Sequence, residues 1–441
     1  MTHDSPFPFV ASGSYPTRGG NLVRPLIDGE PAFRRICNAI ETARRSVWVT
    51  ITFMWPSFVM PDGKGTALDV LDRAARRGVD VRVVFWRPDA QTARHKRNAF
   101  WGAPEHIELL KRNDYRIRIR WDRAQAGFCQ HQKSWLIDAS EETETSFIGG
   151  INLNPHSMAM PGHQGEGQNH DVYVELAGPA VADVHRNFVE RWNDASERHA
   201  DDGRWGRGSD IDLPPPHRTP QKRGNAIVQI QRTMPHGEQT NLYQYIAAIR
   251  AARRTIYMEN QYVEVAEIVA ALHEALRRGV EVALLMPAVP DISPTAYATP
   301  ERRAFFAARA ALGAYETFTL AGIAGLGADG GRTPVYVHSK LMLVDDIWAT
   351  VGSCNLHRFS LFGNCELNAA FSDPETVQAF RVALLQEHLG HDTSALDDLA
   401  ALRLFHQIAR ANRRRHEDGD ARWQGLAVSL DTATYGQSAQ L

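Results

Sequence analysis

The chain has 441 residues, of which 43% are hydrophobic, and its net charge is −2 at pH 7. This length predicts two or three domains, and the apolar content excludes a globally disordered protein. The near-neutral charge excludes a general attraction to nucleic-acid phosphate, so binding DNA or RNA would need a local basic groove. The four cysteines, Cys37, Cys129, Cys354 and Cys365, lack metal-type spacing and indicate free thiols in a reducing compartment.

Residues 1–24 are predicted to form a polar, proline-bearing N-terminal segment. This segment lacks the basic start and the apolar run of a secretory signal. No apolar stretch in the sequence is long enough to cross a bilayer. We therefore expect a cytoplasmic protein, which would contact a membrane only peripherally, at its surface.

The chain repeats one plan at a period of about two hundred residues. Residues 41–50 resemble residues 250–259, and each segment predicts a helix end that leads into a buried strand. Residues 71–84 match residues 272–285, and each predicts a helix, a glycine stop and an apolar strand. This alternation predicts an α/β fold of two similar α-β-α lobes with mixed, largely parallel sheets, related by a pseudo-twofold axis.

The predicted domain boundaries follow this repeat. Residues 201–224 are rich in proline, glycine and charge, which indicates a linker between the lobes. The first lobe is expected to cover residues 25–200 and the second residues 225–400. Residues 401–441 are expected to form a C-terminal helix and a tail, which is polar beyond Arg415 and therefore expected to be partly loose.

Each half is predicted to close with a helix that begins near a proline. The first of these helices covers residues 180–193. The second covers residues 375–389, with Asp373 as N-cap, Pro374 in the first turn and Gly390 as the stop.

Two copies of one motif, His-x-Lys-x-x-x-x-Asp, stand at equivalent places of the repeat. Their residues are His131, Lys133 and Asp138 in the first half, and His338, Lys340 and Asp345 in the second. Each motif lies on an apolar, strand-like run, in which side chains two positions apart share a face. A lysine supplies a compact positive charge for a phosphate oxygen, and a neutral histidine nitrogen can attack phosphorus or move a proton. The pattern therefore predicts one site for a phosphate ester.

Small and amide-bearing residues follow each motif. Gly150 and Asn152 come after the first motif, and Ser353 and Asn355 after the second. Small residues allow the backbone to approach a phosphate, while the asparagines and Ser353 can donate hydrogen bonds to its oxygens. We expect these four residues to bind the phosphate.

One further acid lies on a short strand of each half. Asp171 and Glu366 each stand eight residues before a helix-opening proline, Pro179 or Pro374. A carboxylate at such a matched position is suited to orient a histidine ring through its second nitrogen.

This doubled motif resembles the signature of the phospholipase D superfamily, and the resemblance spans residues 25–400. Residues 228–233 and 256–262 are similar to segments of the phospholipase D and cardiolipin synthase branch. Both motif aspartates are present, unlike in the tyrosyl-DNA phosphodiesterase branch.

The resemblance implies a role for each candidate residue. His131 would attack phosphorus and form a phosphohistidine, and His338 would protonate the leaving alcohol and then activate water or an acceptor alcohol. The orienting acids would cross the lobe boundary, with Glu366 against His131 and Asp171 against His338. The lysines and asparagines would hold the phosphate oxygens, and the motif aspartates would support the site. No cofactor and no metal is implied, because the lysines and histidines supply the charge stabilisation.

The implied function is hydrolysis or transphosphatidylation of phospholipids at a membrane surface, with water or an alcohol as acceptor. A cardiolipin synthase-like phosphatidyltransferase is a sibling alternative. A nuclease of the same superfamily would use the same residues, but the near-neutral composition argues against a nucleic-acid partner. A non-catalytic lipid-binding module is a third alternative. The sequence does not give the oligomeric state.

Several other segments have two interpretations. Loop 155–170 carries three histidines, but their spacing matches no standard metal-ligand set, so we favour an active-site loop over a metal site. The apolar loop 55–60 could contact a bilayer or pack in the core, and we favour a pocket wall. The basic cluster at residues 410–415 indicates a solvated helix end rather than a lipid contact. Cys129 and Cys354 flank the motifs, where apolar packing is the favoured role.

Overall fold

The computed structural model describes most of the chain. The described residues are 7–11, 13–195, 213–291, 299–437 and 441. Residues 1–6 and residue 12 of the predicted N-terminal segment, and residues 201–212 of the predicted linker, lie outside this part of the chain.

The first half forms a mixed sheet with helices packed on it. Its strands are β1 (Arg18–Ile27), β2 (Ser46–Ile51), β3 (Asp80–Trp86), β4 (Arg118–Asp122), β5 (Ser134–Ile137), β6 (Thr145–Gly149), β7 (Asn169–His170) and β8 (Val172–Ala177). Its helices are α1 (Gly29–Thr42), α2 (Ala67–Arg76), α3 (Pro104–Arg112) and α4 (Val181–Asp194). The order in the sheet is β4-β3-β2-β5-β6-β8-β1.

The second half repeats this arrangement. Its strands are β9 (Ala226–Met234), β10 (Glu238–Gln239), β11 (Thr255–Asn260), β12 (Glu281–Leu285), β13 (Phe318–Leu326), β14 (Arg332–Val337), β15 (Lys340–Val344), β16 (Trp348–Gly352), β17 (Glu366–Ser372) and β18 (Ala427–Ser429). Its helices are α5 (Thr240–Ala251), α6 (Ala266–Arg277), α7 (Pro300–Ala310), α8 (Arg358–Phe362), α9 (Pro374–Leu389) and α10 (Asp398–Glu417). The order is β18-β13-β12-β11-β15-β16-β17-β9.

The α/β class and the mixed sheet are confirmed, and the direction of the strands follows their connections. Within the two large sheets, parallel pairing is confined to β2-β3-β4 and to β11-β12-β13, whose strands are joined by helical crossovers, and the short strand β7 also pairs parallel with β14. The other neighbours within each sheet are antiparallel, because short connections such as those of β5 to β6 and β15 to β16 return the chain directly. Strand β1 pairs with both β8 and β9, and it thereby joins the two sheets.

The helix stops expected from the repeat lie at equivalent glycines. Helices α2 and α6 end two residues before Gly78 and Gly279, whose φ angles of 91° and 86° are left-handed. Helix α9 is followed by Gly390 at φ 56°. Glycine adopts this backbone conformation without the steric cost of a Cβ atom, which explains the stop.

One hydrophobic cluster contains residues of both halves. It joins Trp48 and Phe188 of the first half to Ile230 and Phe371 of the second. Separate clusters fill the space between helices and sheet within each half. Apolar packing therefore holds the two halves together, and it fixes the relative positions of side chains that lie at their boundary.

The tail differs from the expectation of a partly loose segment. Strand β18 pairs with β13, and Ala427 and Val428 are buried. The Tyr435 hydroxyl donates to the Pro287 carbonyl over 2.8 Å. The apolar residues of this segment cover an edge of β13 that would otherwise leave unpaired backbone groups.

The N-terminal segment also packs against the fold. The Phe7 ring stacks on Trp348 at 5.7 Å, and β1 begins at Arg18, within the predicted segment. The basic cluster at residues 410–415 lies in the last turns of α10. Among the described residues, no helix combines the length and the apolar character that a membrane span requires.

Candidate active site at the boundary of the two halves

The structure places the histidine and lysine of each motif together, directly before or at the start of a central strand. Lys133 Nζ donates to the His131 carbonyl over 2.8 Å, and Lys340 Nζ donates to the His338 carbonyl. All four side chains are buried. Strands β5 and β15, which follow, lie between β2 and β6 and between β11 and β16, so both motifs start from the middle of a sheet.

Each motif is hydrogen-bonded through its backbone to the other half of the chain. The His131 amide donates to the Cys365 carbonyl over 2.9 Å, and the His338 amide donates to the His170 carbonyl over 2.8 Å. Cys365 and His170 directly precede the two candidate orienting acids. The backbone of each half therefore sets the position of the acid that faces the motif of the other half.

The two histidines are paired with these acids across the boundary. His131 Nδ1 lies 2.9 Å from Glu366 Oε2, and His338 Nδ1 lies 2.5 Å from Asp171 Oδ2. None of the four residues is more than 8% exposed. A carboxylate at Nδ1 accepts the proton of that nitrogen, which leaves the lone pair on Nε2. No described residue forms a hydrogen bond with either Nε2.

Burial keeps both imidazoles neutral in the free protein. Desolvation lowers the pKa of His131 to about 4, with a contribution from Lys133, although Glu366 opposes this shift. Desolvation and Lys340 lower the pKa of His338 to about 4, against the effect of Asp171. At neutral pH both Nε2 atoms are therefore unprotonated and nucleophilic.

The two lysines belong to one electrostatic unit. Burial lowers the pKa of Lys133 to about 8, and burial together with nearby Lys133 lowers the pKa of Lys340 to about 7. Lys340 also lowers the pKa of His131, and Lys133 that of His338. Each lysine thus lies close enough to the histidine of the other motif to lower its pKa, and an anion bound between the motifs would relieve the repulsion of the ammonium groups.

The residues predicted to bind the phosphate have different surroundings. Asn152 and Asn355 are buried, and their Oδ1 atoms make no hydrogen bond with the described residues. Gly150 lies against Asp171, where a Cβ atom would be 2.4 Å from Oδ1. The Ser353 hydroxyl donates to Glu366 Oε2 over 2.6 Å, so the structure gives it a carboxylate as partner instead of a phosphate.

The motif aspartates lie away from the histidines. Asp138 and Asp345 follow the far ends of β5 and β15, on the order of 20 Å along the strand from the motif histidine. Asp138 Oδ1 accepts from the amides of Arg44 and Arg45, at 2.8 and 2.7 Å.

The second motif aspartate makes the same contacts. Asp345 accepts from three successive amides, those of residues 253–255, at 2.8 to 2.9 Å. Both aspartates have a φ of 55°. Each carboxylate fixes the turn that leads into β2 or β11, which is structural support and not direct contact with a substrate.

Sequence reasoning missed the partners of the two lysines. Lys133 Nζ donates to Thr52 Oγ1 over 3.3 Å, and Lys340 Nζ donates to Gln261 Oε1 over 3.4 Å. Thr52 and Gln261 stand at the same place of the repeat, directly after β2 and β11. Extending the aligned segments by two residues would have found them. Ser360, which contacts Glu366, has Ser157 as its equivalent in the first half, but the Ser157 hydroxyl donates to Asn154 Oδ1 over 3.4 Å and not to Asp171.

Aromatic side chains and cysteines line the surroundings of the site. The Phe53 ring lies 6.2 Å from the His131 ring, and the Tyr336 ring lies 6.4 Å from the His338 ring. In the apolar loop, Phe58 and Met60 are buried in the hydrophobic core of the first half, whereas Trp55 and Val59 are exposed. Cys129 and Cys354 are buried, and burial raises the pKa of both thiols well above the ordinary value, so they pack as apolar groups.

A comparison with known protein families finds a match to the segments that contain the candidate active-site residues. The family profile described as "Cardiolipin synthase, PLD-like domain" matches residues 36–192 and 245–387. The chain belongs to this phospholipase D-like family. The two matched segments contain both motifs and both orienting acids of this family member.

Relatives of known name agree with this assignment. Cardiolipin synthase A of Pseudomonas entomophila (strain L48) is 29% identical over 378 residues, which cover 82% of this chain and 68% of the relative. The cardiolipin synthase of Listeria welshimeri serovar 6b is 26% identical over 377 residues, 84% of this chain and 69% of the relative. Across the most similar cardiolipin synthases, the chain spans between 64% and 69% of the length of the relative.

A solved structure shows the same fold. The crystal structure of phosphatidylserine synthase from Haemophilus influenzae Rd KW20 superposes with a TM-score of 0.57 at 13% sequence identity. The superposition covers 90% of this chain and 94% of that chain. The two-lobed arrangement is therefore that of an established fold.

Proposed function

We propose that this protein transfers the phosphatidyl group of a phospholipid to water or to an alcohol through a phosphohistidine intermediate. The observation that supports this most is the pair of buried, neutral imidazoles, each held at Nδ1 by a carboxylate of the other half. Family membership and the similarity to cardiolipin synthases support a phospholipid as the substrate, met at a membrane surface.

The first step uses His131 as the nucleophile. Its Nε2 lone pair attacks phosphorus, a P–N bond forms, and the P–O bond to the leaving alcohol breaks. The negative charge of the bound phosphodiester raises the pKa of His338, which thus holds a proton at Nε2 and gives it to the leaving oxygen. Glu366 stabilises the positive charge that develops on His131, and the lysines stabilise the phosphate oxygens.

The second step reverses these roles. His338 Nε2 takes a proton from water or from an acceptor alcohol, whose oxygen attacks phosphorus while the P–N bond breaks. Water yields phosphatidate, and an alcohol yields a new phosphatidyl ester. Both products follow from one intermediate, so the access and concentration of the acceptor determine which of them forms.

The substrate class is tested with a lipid panel. Purified protein is incubated with vesicles of phosphatidylglycerol, phosphatidylethanolamine or phosphatidylcholine, with and without glycerol or ethanol, and the lipids are read by mass spectrometry. We expect phosphatidate or a new phosphatidyl ester. Plasmid DNA is assayed in parallel, and DNA cleavage without a lipid product would replace the proposal by a nuclease. Absence of turnover on every diester would favour a lipid-binding module.

The intermediate is tested by trapping. Turnover is quenched in alkali, where phosphohistidine survives, and the peptides are read by mass spectrometry. We expect the phosphatidyl group, or the phosphoryl group derived from it, on the peptide that contains His131. A modified His338 peptide would exchange the two roles. His185→Gln is the matched control, because His185 forms a buried pair with Glu144 at the opposite end of β6. It should retain the adduct.

A further inference from the structure

A second group of buried histidines and carboxylates lies beside the candidate active site, and none of the steps above uses it. Its members come from three distant segments: Asp28 directly follows β1, His163 lies in loop 155–170, and Glu387 lies in α9. Their side chains are 0%, 0% and 5% exposed. The loop histidine therefore meets carboxylates that its own sequence neighbourhood does not contain.

In this cluster the His163 ring faces one oxygen of each carboxylate. His163 Nε2 lies 3.3 Å from Asp28 Oδ2 and 3.0 Å from Glu387 Oε1. Among the described residues, His163 Nε2, Asp28 Oδ2 and Glu387 Oε2 have no hydrogen-bond partner. Buried polar atoms without a partner are costly, so a group bound between these side chains would stabilise the cluster.

The second nitrogen of His163 and the second oxygen of Asp28 each have a partner. Asp28 Oδ1 lies 2.9 Å from His170 Nδ1, and His163 Nδ1 lies 3.2 Å from Gln168 Oε1. Glu387 Oε1, the oxygen nearest to His163 Nε2, also accepts from the Gly162 amide over 3.2 Å, and Glu387 Oε2 is the oxygen without a partner among the described residues. A proton on His163 Nδ1, donated to Gln168, leaves a lone pair on Nε2 that faces two carboxylates. This is the arrangement of metal ligands that are oriented by their outer hydrogen bonds.

We propose that Asp28, His163 and Glu387 hold a divalent metal ion of the zinc class. Imidazole nitrogen and carboxylate oxygen are donors that zinc accepts, and tetrahedral ligands about 2 Å from the ion stand roughly 3.3 Å apart. The measured separations of 3.0 and 3.3 Å fit this value. Two carboxylates neutralise the charge of the ion in the buried site. His170 positions Asp28 from the other side and is itself held by Glu259 over 3.0 Å.

The ion joins segments that hold the active site. Asp28 donates its amide to the Asp171 carbonyl over 2.9 Å, and Asp171 is the partner of His338. The metal connects Asp28 to His163 in loop 155–170 and to Glu387 in α9 of the second half. It is structural, so its presence does not depend on the reaction proposed above.

The test is the metal content of full-length protein purified without a histidine tag and dialysed extensively. Elemental analysis by mass spectrometry should find about one equivalent of zinc, or of a similar divalent metal, per protein molecule. In the variants His163→Gln and Glu387→Gln, the metal content should fall below about a tenth of an equivalent per protein molecule. The control His185→Gln removes another buried histidine–carboxylate pair and should keep the metal.

A second measurement covers the case in which these variants do not fold. Wild-type protein refolded with Co²⁺ should show the visible absorption of a tetrahedral cobalt site, and added Zn²⁺ should raise the melting temperature after chelation. If wild-type protein, as purified and after refolding with zinc, cobalt, nickel or manganese, holds no metal, the proposal is wrong. The cluster is then a network of ion pairs with protonated histidines.

Discussion

The two histidine–acid pairs occupy equivalent places of the repeat, yet their carboxylates have different surroundings. Glu366 accepts from His131 and also from the hydroxyls of Ser353 and Ser360, at 2.6 and 2.5 Å. Asp171 accepts from His338 and from the amide of Val172, over 2.8 Å. The equivalent of Ser353 is Gly150, which supplies no hydroxyl and leaves space for the Asp171 carboxylate.

This difference indicates a division of labour between the histidines. A carboxylate that is held by several donors is fixed in position and keeps its imidazole oriented, as an attacking nitrogen requires. A carboxylate with fewer donors directs more of its charge to the histidine, which suits a ring that gains and loses a proton. The contrast therefore supports His131 as the nucleophile and His338 as the proton carrier.

The largest effect is expected when either ring is removed. His131→Ala and His338→Ala should each lower turnover by on the order of 10⁴-fold or more, because the two rings act as one unit. The double variant should be hardly slower than either single one. Steady-state assays with phospholipid vesicles measure this. Near-normal activity of either single variant would contradict the two-histidine mechanism.

The acids come next, and here the two halves should differ. Glu366→Gln and Asp171→Asn should each lower kcat by roughly 10²- to 10⁴-fold, because the histidine loses the acceptor that fixes its tautomer. Only Glu366→Gln should also lower the free energy of unfolding, by about 1–3 kcal/mol, since two buried hydroxyls lose a charged acceptor. Denaturant unfolding beside kinetics separates the two effects. Equal stability of both variants would argue against the division of labour.

Deprotonation of Lys133 and Lys340 should lower the activity at alkaline pH. Their pKa values of about 8 and about 7 mean that the ammonium charges are lost as the pH rises through this range. The value of kcat/KM already declines at lower pH because free His338 must gain a proton, and it should fall more steeply above pH 7 to 8. The limit on kcat should lie at higher pH, because a bound phosphate raises both pKa values. Lys340→Met should remove the lower of the two transitions. A flat kcat/KM up to pH 9 would contradict this account.

A smaller effect is expected from the residue that distinguishes the two pairs. Ser353→Ala removes one hydrogen bond to Glu366 and should lower kcat by roughly fivefold, which corresponds to about 1 kcal/mol. The value of KM should stay nearly constant, because the hydroxyl contacts the carboxylate and not the phosphate. A rise in KM without a change in kcat would restore Ser353 as a phosphate ligand.

The smallest effect on activity should come from the motif aspartates. Asp138→Asn and Asp345→Asn keep a side chain that tolerates the left-handed backbone but weaken the contacts with several amides. Each should lower the free energy of unfolding by about 1–3 kcal/mol and leave kcat within a few-fold of wild type. Unfolding curves and lipid assays on the same preparations measure both. A large loss of kcat in a fully stable variant would show a direct catalytic role.

Much of the site could be predicted because the chain repeats itself. His131 and His338, with the acids Asp171 and Glu366, are recognised by matching positions in two copies, and the structure pairs them across the boundary. The mixed α/β fold followed from the alternation of helix and strand patterns. These features depend on local periodicity and spacing, which a sequence states directly.

The tertiary structure decided what local spacing does not contain. The Ser353 hydroxyl faces Glu366, Asp138 lies against a turn more than ninety residues earlier, and the tail adds a strand to β13. Asp28, His163 and Glu387 converge over separations of more than 130 residues. Such contacts arise only when packing of the sheets and helices brings distant segments together, and a single sequence does not encode them in any local pattern.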